Sequence, residues 1–302
     1  MIFNKLARFI LLVLLIVFFF SASKVIGFYV DWLFFSELGF QTIFTRVLSA
    51  EILSGIFFGV IFFVFVAINV LIASAIKVPP VDVSFLGQIN VSVNLNRFSG
   101  LFKTFGLAVA FFGGIMSAIW GSSMWPQVLT FINSIDTGKI DPIFNHDLSF
   151  YLFKLPFYEA INAYTGFIIF FTILIIGAGY IARGGLLFPG GRIALVKYAK
   201  AHISLLVLLF FARFAFGFYL DRFAMLYSLH TVITGAGYAD VNARLIALNI
   251  LSPLTLIGGI IISFAIFKER FKIALYPLIS VAAIYIIGVV AYPSLLQIFK
   301  VA

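Results

Sequence analysis

From Ile52 to Ile76 the chain carries no charged residue, and Val47–Ile76 as a whole carries one acid, Glu51. At ~1.5 Å per residue a helix of that length exceeds the roughly 30 Å hydrocarbon core of a bilayer. Segments of the same kind recur at 104–125, 161–181, 202–220, 248–267 and 273–292, and a further one, broken by Lys24, covers 6–30. The pattern predicts one all-α transmembrane domain over 1–302, a polytopic bundle of about seven spanning helices with interfacial amphipathic segments in its outer loops.

Composition closes the alternatives. The 302 residues are 63% hydrophobic and only 10% charged, too little polar cover for the surface of a water-soluble domain. A β-barrel would show alternating segments of about ten residues instead of long apolar runs. The absence of cysteine excludes disulfides, thiolate catalysis and cysteine-ligated metals. At the N-terminus, Lys5, Arg8, an apolar run and Ser21-Ala22-Ser23 resemble a cleaved leader, but apolar character resumes with Val25, Ile26, Phe28 and Tyr29. A retained first helix is the better reading.

Several segments carry packing or interface signals. Asp31–Arg46 is short, mixed in charge and aromatic, suiting the headgroup region. Gly55 and Gly59 form a GxxxG pair, and Gly113, Gly114, Ser117, Ala118 and Gly121 form a small-residue stripe; both allow close helix approach. Lys77–Lys103 contains Pro79-Pro80 and an alternating stretch over 91–96, fitting a hairpin or an interfacial loop.

Charge sets an orientation. Lys5, Arg8, Lys77, Arg97, Lys103, Arg183, Arg192, Lys197, Lys200, Lys268, Arg270 and Lys272 fall on the N-terminal side, with only Asp82 and Glu269 as acids there. This bias places the N-terminus in the cytoplasm and the C-terminus outside a cell membrane that the chain crosses several times. The net charge of +9 is therefore a topology signal. No basic cluster is dense enough to track a phosphate backbone, so nucleic acid is not an expected partner.

Two regions invite chemistry. Arg213 lies in the apolar run Phe210–Phe216, where an arginine costs roughly 2.5–3.5 kcal/mol unless it is paired. Glu51 is its expected partner, with Lys24 at comparable depth, giving an intramembrane polar cluster of Arg213, Glu51 and Lys24. A structural ion pair is favoured there over an ion or anionic-substrate site. Asn69 and Asn249 are expected to hydrogen-bond between helices.

The second region is Asp141–Ala160, with Asp141, Pro142, Phe150, Tyr151, Pro156 and Tyr158 as an expected aromatic platform on the outer membrane face. His146, Asp147 and Asp141 are the available hard-metal ligands in it. His146 and Asp147 are adjacent, so their side chains diverge, and no second histidine is spaced to join them; capping and headgroup contacts are the better reading. No Walker motif, nucleophile elbow or HExxH occurs, so neither an enzyme, a metal nor a cofactor is indicated.

Asp31–Phe40 (DWLFFSELGF), 141–158 (DPIFNHDLSFYLFKLPFY), 219–228 (YLDRFAMLYS), 235–245 (GAGYADVNARL) and 291–297 (AYPSLLQ) together resemble uncharacterised protein family (UPF) 0182 of bacterial membrane proteins, in order and spacing along nearly the whole chain. The resemblance implies about seven N-terminal membrane helices followed by a large extracytoplasmic domain, which these 302 residues would not include. The leading functional expectation is a membrane anchor or scaffold in contact with the lipid bilayer, presenting its platform to an extracytoplasmic domain or envelope protein. The alternative is a transporter or channel using the Arg213, Glu51 and Lys24 region. The sequence does not set an oligomeric state.

Overall fold

The computed structural model describes residues 25–78, 80–85, 89–93, 95–187, 194–227 and 235–298. Among these, six helical runs are long and apolar enough to cross a membrane: Gln41–Ala75, Leu95–Ser122, Phe150–Ala182, Lys197–Tyr227, Asp240–Phe267 and Phe271–Leu296. The fold is an all-α polytopic transmembrane bundle. Of the expected first span, residues 6–24 lie outside the described residues, and 25–37 is helical (α1).

The expected interfacial segment Asp31–Arg46 is a helix–turn–helix. α1 ends in a turn at Gly39, whose φ of +74° suits a residue without a Cβ, and α2 (Gln41–Ala75) begins at once. Phe35 and Phe28 pack on Phe44 across the turn, at 5.6 and 5.5 Å between ring centroids. Aromatic residues of this segment close the helical corner.

α3 (Ser99–Ser122) returns against α2. The two small-residue stripes meet: a Cβ on Gly59 would stand 2.8 Å from Ala118 Cβ and 2.9 Å from the Gly114 carbonyl, and one on Gly55 would stand 3.0 Å from the Ala118 carbonyl. Between these helices β1 (Val81–Phe85) and β2 (Ile89–Val93) form an antiparallel hairpin, pairing Val81 with Val93 through Phe85 with Ile89. The hairpin reading of Lys77–Lys103 therefore holds.

A short helix, α4 (Trp125–Ile132), and a loop lead to α5 (Leu155–Ala182), whose first turn is preceded by a π-helical turn over Phe150–Lys154. The helix expected from Ile161 thus starts earlier, and Pro156, which has no N–H to give, falls where the π turn passes into α5. A two-stranded ladder, β3 (Leu186–Leu187) with β4 (Ala194–Leu195), joins α5 to α6 (Lys197–Ala224). α7 (Leu245–Phe267), α8 (Phe271–Ile284), a π-helical stretch over Tyr285–Ala291 and α9 (Tyr292–Leu296) complete the described chain.

α2 packs chiefly on α3 and α6 chiefly on α7, while α5 touches both α2 and α6 and so joins the two halves. The main core lies along this seam, with Phe58, Phe62, Val66, Val70, Tyr164, Ile168, Ile176, Tyr180 and Leu206 buried. α8 packs on α7 and leaves most of its surface to lipid.

Candidate functional site

The polar residues of the spans fall into three groups. At the end carrying the basic loops, Arg183 is fully buried. It donates from Nη2 to the Ala73 carbonyl at 2.7 Å and from Nε to the Gly179 carbonyl at 3.2 Å, with its guanidinium 4.9 Å from the Phe102 ring centre. The cation thus meets carbonyls at the C-terminus of α2, the negative end of that helix. Next to it His202 links Tyr180 and Asn69, each at 2.9 Å. Asn69 gives its amide N–H to the Phe65 carbonyl at 2.7 Å, so its oxygen accepts from His202 Nε2. His202 Nδ1 then accepts from the Tyr180 hydroxyl. Asn69 is the interhelical hydrogen bonder the sequence suggested, joining α2 to α6.

At the other end, the loop before α5 is built around two carboxylates. Asp141, 4% exposed, accepts from the N–H groups of Ile143, Phe144 and His146 at 2.8–3.1 Å and from the Tyr151 hydroxyl at 2.7 Å. Burial pushes its carboxyl up, but these four donors outweigh burial and leave it below the usual carboxylate range. Asp147 accepts from the N–H groups of Thr137, Gly138 and Ser149 and from the Thr137 hydroxyl, at 2.8–3.0 Å. Those bonds, led by the Thr137 and Ser149 N–H groups, hold it well below its ordinary value.

His146 stacks on Phe150 at 4.7 Å and meets the edge of Phe223 at 5.4 Å. The candidate ligands His146, Asp147 and Asp141 therefore do not converge: the acids are taken up by N–H groups of their own loop and the imidazole by aromatic rings. Among the described residues no group of three or more such side chains is arranged to hold a metal.

Several of the expected platform residues come together. Tyr151, Leu155, Leu220 and Phe223 form a buried cluster with Phe144, Phe150 and Tyr158 against it. Pro142 sits exposed at the loop edge and Pro156 in the first turn of α5. These rings tie α5 to α6, and the π turn of the segment continues directly into α5.

The third group surrounds Arg213, which donates from Nε to the Asn162 carbonyl at 3.0 Å. Its side chain fits only because α5 has a notch here: a Cβ on Gly166 would stand 2.4 Å from Nε. Arg213 faces a cavity of about 720 Å³ with Asn162, Phe214, Gly217, Asp221, Thr255 and residues of α8. Glu51 does not line it, and the ion pairs between described residues are Lys200–Glu269 and Arg244–Asp240. The expected Arg213–Glu51 pair is therefore replaced by a carbonyl contact and a nearby Asp221; Lys24 lies outside the described residues.

Asp221 was hidden by the shorter helix read over 202–220. α6 runs on to Ala224, so Arg213, Gly217 and Asp221 form a stripe at four-residue spacing, the signal that could have revealed it. Asp221 also lies within electrostatic reach of Arg244 and Glu159, and Glu159 accepts from the Tyr227 hydroxyl at 3.0 Å.

The profile of the Uncharacterised protein family (UPF0182) matches residues 8–302, a range that includes all of the segments described above. The chain belongs to this family. A UPF0182 protein of Geotalea uraniireducens is 39% identical over 280 residues, covering 93% of this chain and 31% of its own length. Relatives from Pelobacter propionicus (36% identical, 97% and 32% covered) and Geobacter sulfurreducens (35%, 93% and 32%) are similar in the same way. The chain spans about a third of the length of these curated relatives. No solved structure gives a significant match. This UPF0182 chain thus combines membrane-spanning helices with a cavity beside Arg213 and hydrogen-bonded ties around Arg183 and His202.

Proposed function

We propose that this bundle is a membrane anchor whose 136–160 end presents a preformed surface to an extracytoplasmic domain or envelope protein. The observation that carries this reading is the Asp141–Asp147 loop. Its shape is fixed by its own N–H groups and by the Phe223 contact, so little ordering entropy remains to be lost on docking. In this reading the end bearing Arg97, Lys103, Arg183, Lys197, Lys200, Lys268, Arg270 and Lys272 faces the cytoplasm of a bacterial cell, following the positive-inside bias.

A photo-crosslinking residue at Ile140, 65% exposed, tests the reading in cells. Products with an envelope protein, or with a part of a full-length relative outside the matched third, are expected; products with lipid alone would overturn it. Orientation is tested separately. Because the sequence has no cysteine, Ile140→Cys should react with an impermeant thiol reagent outside intact cells and Gly100→Cys should not.

A transporter reading draws on the Arg213 cavity. Against it, a path needs polar lining at more than one level, and Asn69 and His202, nearer the basic end, are bonded to each other and to Tyr180 and Phe65. Flux of labelled ions or anions into proteoliposomes, abolished by Arg213→Lys, would favour transport over anchoring.

A further inference from the structure

Polar groups that the fold leaves over line the Arg213 cavity at successive levels. Thr255 is 1% exposed, and its hydroxyl has no hydrogen-bond partner among the described residues. The buried threonine of α5, Thr172, returns its hydroxyl to the Ile168 carbonyl one turn earlier; Thr255 does not. Arg213 spends Nε on the Asn162 carbonyl and lays its guanidinium 4.5 Å from the Phe214 ring centre. Its two terminal nitrogens, the Asn162 side-chain amide and the Asp221 carboxylate make no hydrogen bond to described residues. Buried hydroxyls are almost always bonded, and charges inside a membrane face the bundle interior or a water-filled cavity.

Contacts between helices set the levels. Ser252 donates to the Ala215 carbonyl and Gly259 packs on Phe211, which brackets Thr255 at the depth of Arg213. Asp221, exposed, stands about 12 Å further along α6, at ~1.5 Å per residue. Gly217 lies midway, and a Cβ there would stand 3.0 Å from Asn162 Nδ2, so the amide occupies the middle level. Val281–Ile286 of α8 runs alongside this stripe as an apolar flank, since Pro277 meets Gly258 and Gly288 meets Ala247. Inward of Arg213 the cavity closes, where Phe211 sits on Gly259 and Pro277 on Gly258.

We propose that this cavity is an aqueous inlet, open at the Asp221 end and closed just beyond Arg213, that brings water and small polar solutes to an arginine inside the membrane. Arg213, Asn162 and Thr255 offer donors and Asp221 an acceptor, and water serves both kinds without any requirement on net charge. Hydrocarbon in the same space would leave every one of these groups unbonded. The cavity, about 720 Å³, has room for several waters at ~30 Å³ each. Gly217 keeps the stripe clear between Asp221 and Arg213, so bonded waters can follow one another from level to level. A dead-ended inlet needs no polar path through Asn69 and His202, and it is independent of what docks at the 136–160 end.

Cysteine accessibility tests it, since the sequence has no cysteine of its own and a thiol reacts as the thiolate, which forms in water and is suppressed in apolar surroundings. The probe is a small, charged, impermeant methanethiosulfonate, applied to sealed membrane vesicles of either sidedness, in which Ile140→Cys and Gly100→Cys mark the two faces. Thr255→Cys is nearly isosteric, and Ala282→Cys, on the α8 wall of the cavity, provides a second site. Leu256→Cys is the control: it adjoins Thr255 in sequence and is 42% exposed, but outside the cavity. Thr255→Cys and Ala282→Cys should react at least about tenfold faster than Leu256→Cys, and only from the face that labels Ile140→Cys. Rates as slow as that of Leu256→Cys at both positions would mean a cavity filled by hydrocarbon and overturn the proposal. Labelling of Thr255→Cys from the Gly100 face would overturn the closed end.

Discussion

Arg183 and Ala73, far apart in sequence, meet through a 2.7 Å bond from the guanidinium Nη2 to the backbone carbonyl, which fastens the start of the α5–α6 loop to the C-terminus of α2. Truncation leaves that carbonyl with only the Ile76 N–H at 3.3 Å and removes the contact with the Phe102 ring. Arg183→Leu should cost about 2–4 kcal/mol. The check is unfolding of the purified protein in mixed micelles, with Lys197→Leu, in the same basic loop region, as the near-neutral comparison.

The α2–α3 crossing gives a second expectation. A methyl group at Gly59 would press on the Ala118 Cβ and on backbone at Gly114, whereas one at Gly177 would meet nothing within 4 Å. Gly59→Ala should destabilise by about 1–3 kcal/mol and Gly177→Ala by none, since overpacking against backbone cannot be relieved by a rotamer change. Equal stability of the two variants would remove the argument for close approach.

Tyr180 and Asn69 hold the two nitrogens of His202 in different roles. Tyr180→Phe leaves Nδ1 without its donor and should cost about 1–3 kcal/mol. A double-mutant cycle of Tyr180→Phe with Asn69→Ala should show coupling, because each change alone frees the imidazole to turn. Strict additivity would mean that the three residues do not act as a chain.

The Asp141 loop has a pH signature. A carboxyl lower in the folded chain than in the unfolded one contributes stability that is complete above the unfolded value, about 4. That contribution is lost as pH falls through the folded value. Amide exchange at Ile143, Phe144 and His146, corrected for intrinsic rates, should therefore show protection near neutrality that declines below about pH 4. In Asp141→Asn the protection should be lower at neutral pH and nearly independent of acidification.

Much of the architecture can be read from the chain directly, because spanning a bilayer imposes a length and a composition that sequence displays openly. The small-residue stripes of α2 and α3 were legible for a similar reason: only glycine, alanine and serine permit backbones to come so close. Helix ends were less legible. Tyr151–Ala160 and Asp221–Ala224 contain charges and aromatics that suit an interface, yet they are helical, and α5 and α6 pack on each other there through Tyr151, Leu155, Leu220 and Phe223.

The sequence by itself determined that this protein is a multi-span helical bundle with an isolated arginine at depth and an acidic, aromatic segment between two spans. Tertiary structure decided what those residues touch. Glu51 was the plausible mate for Arg213 by depth alone, but α5 and α7 supply the neighbours of that face of α6, so Asn162, Asp221 and Thr255 surround it instead. Likewise capping was the better reading of Asp141 and Asp147, but only the folded loop shows which N–H groups they hold. Depth in a membrane is a one-dimensional quantity that sequence encodes; which helix stands beside which is two-dimensional, and only packing fixes it.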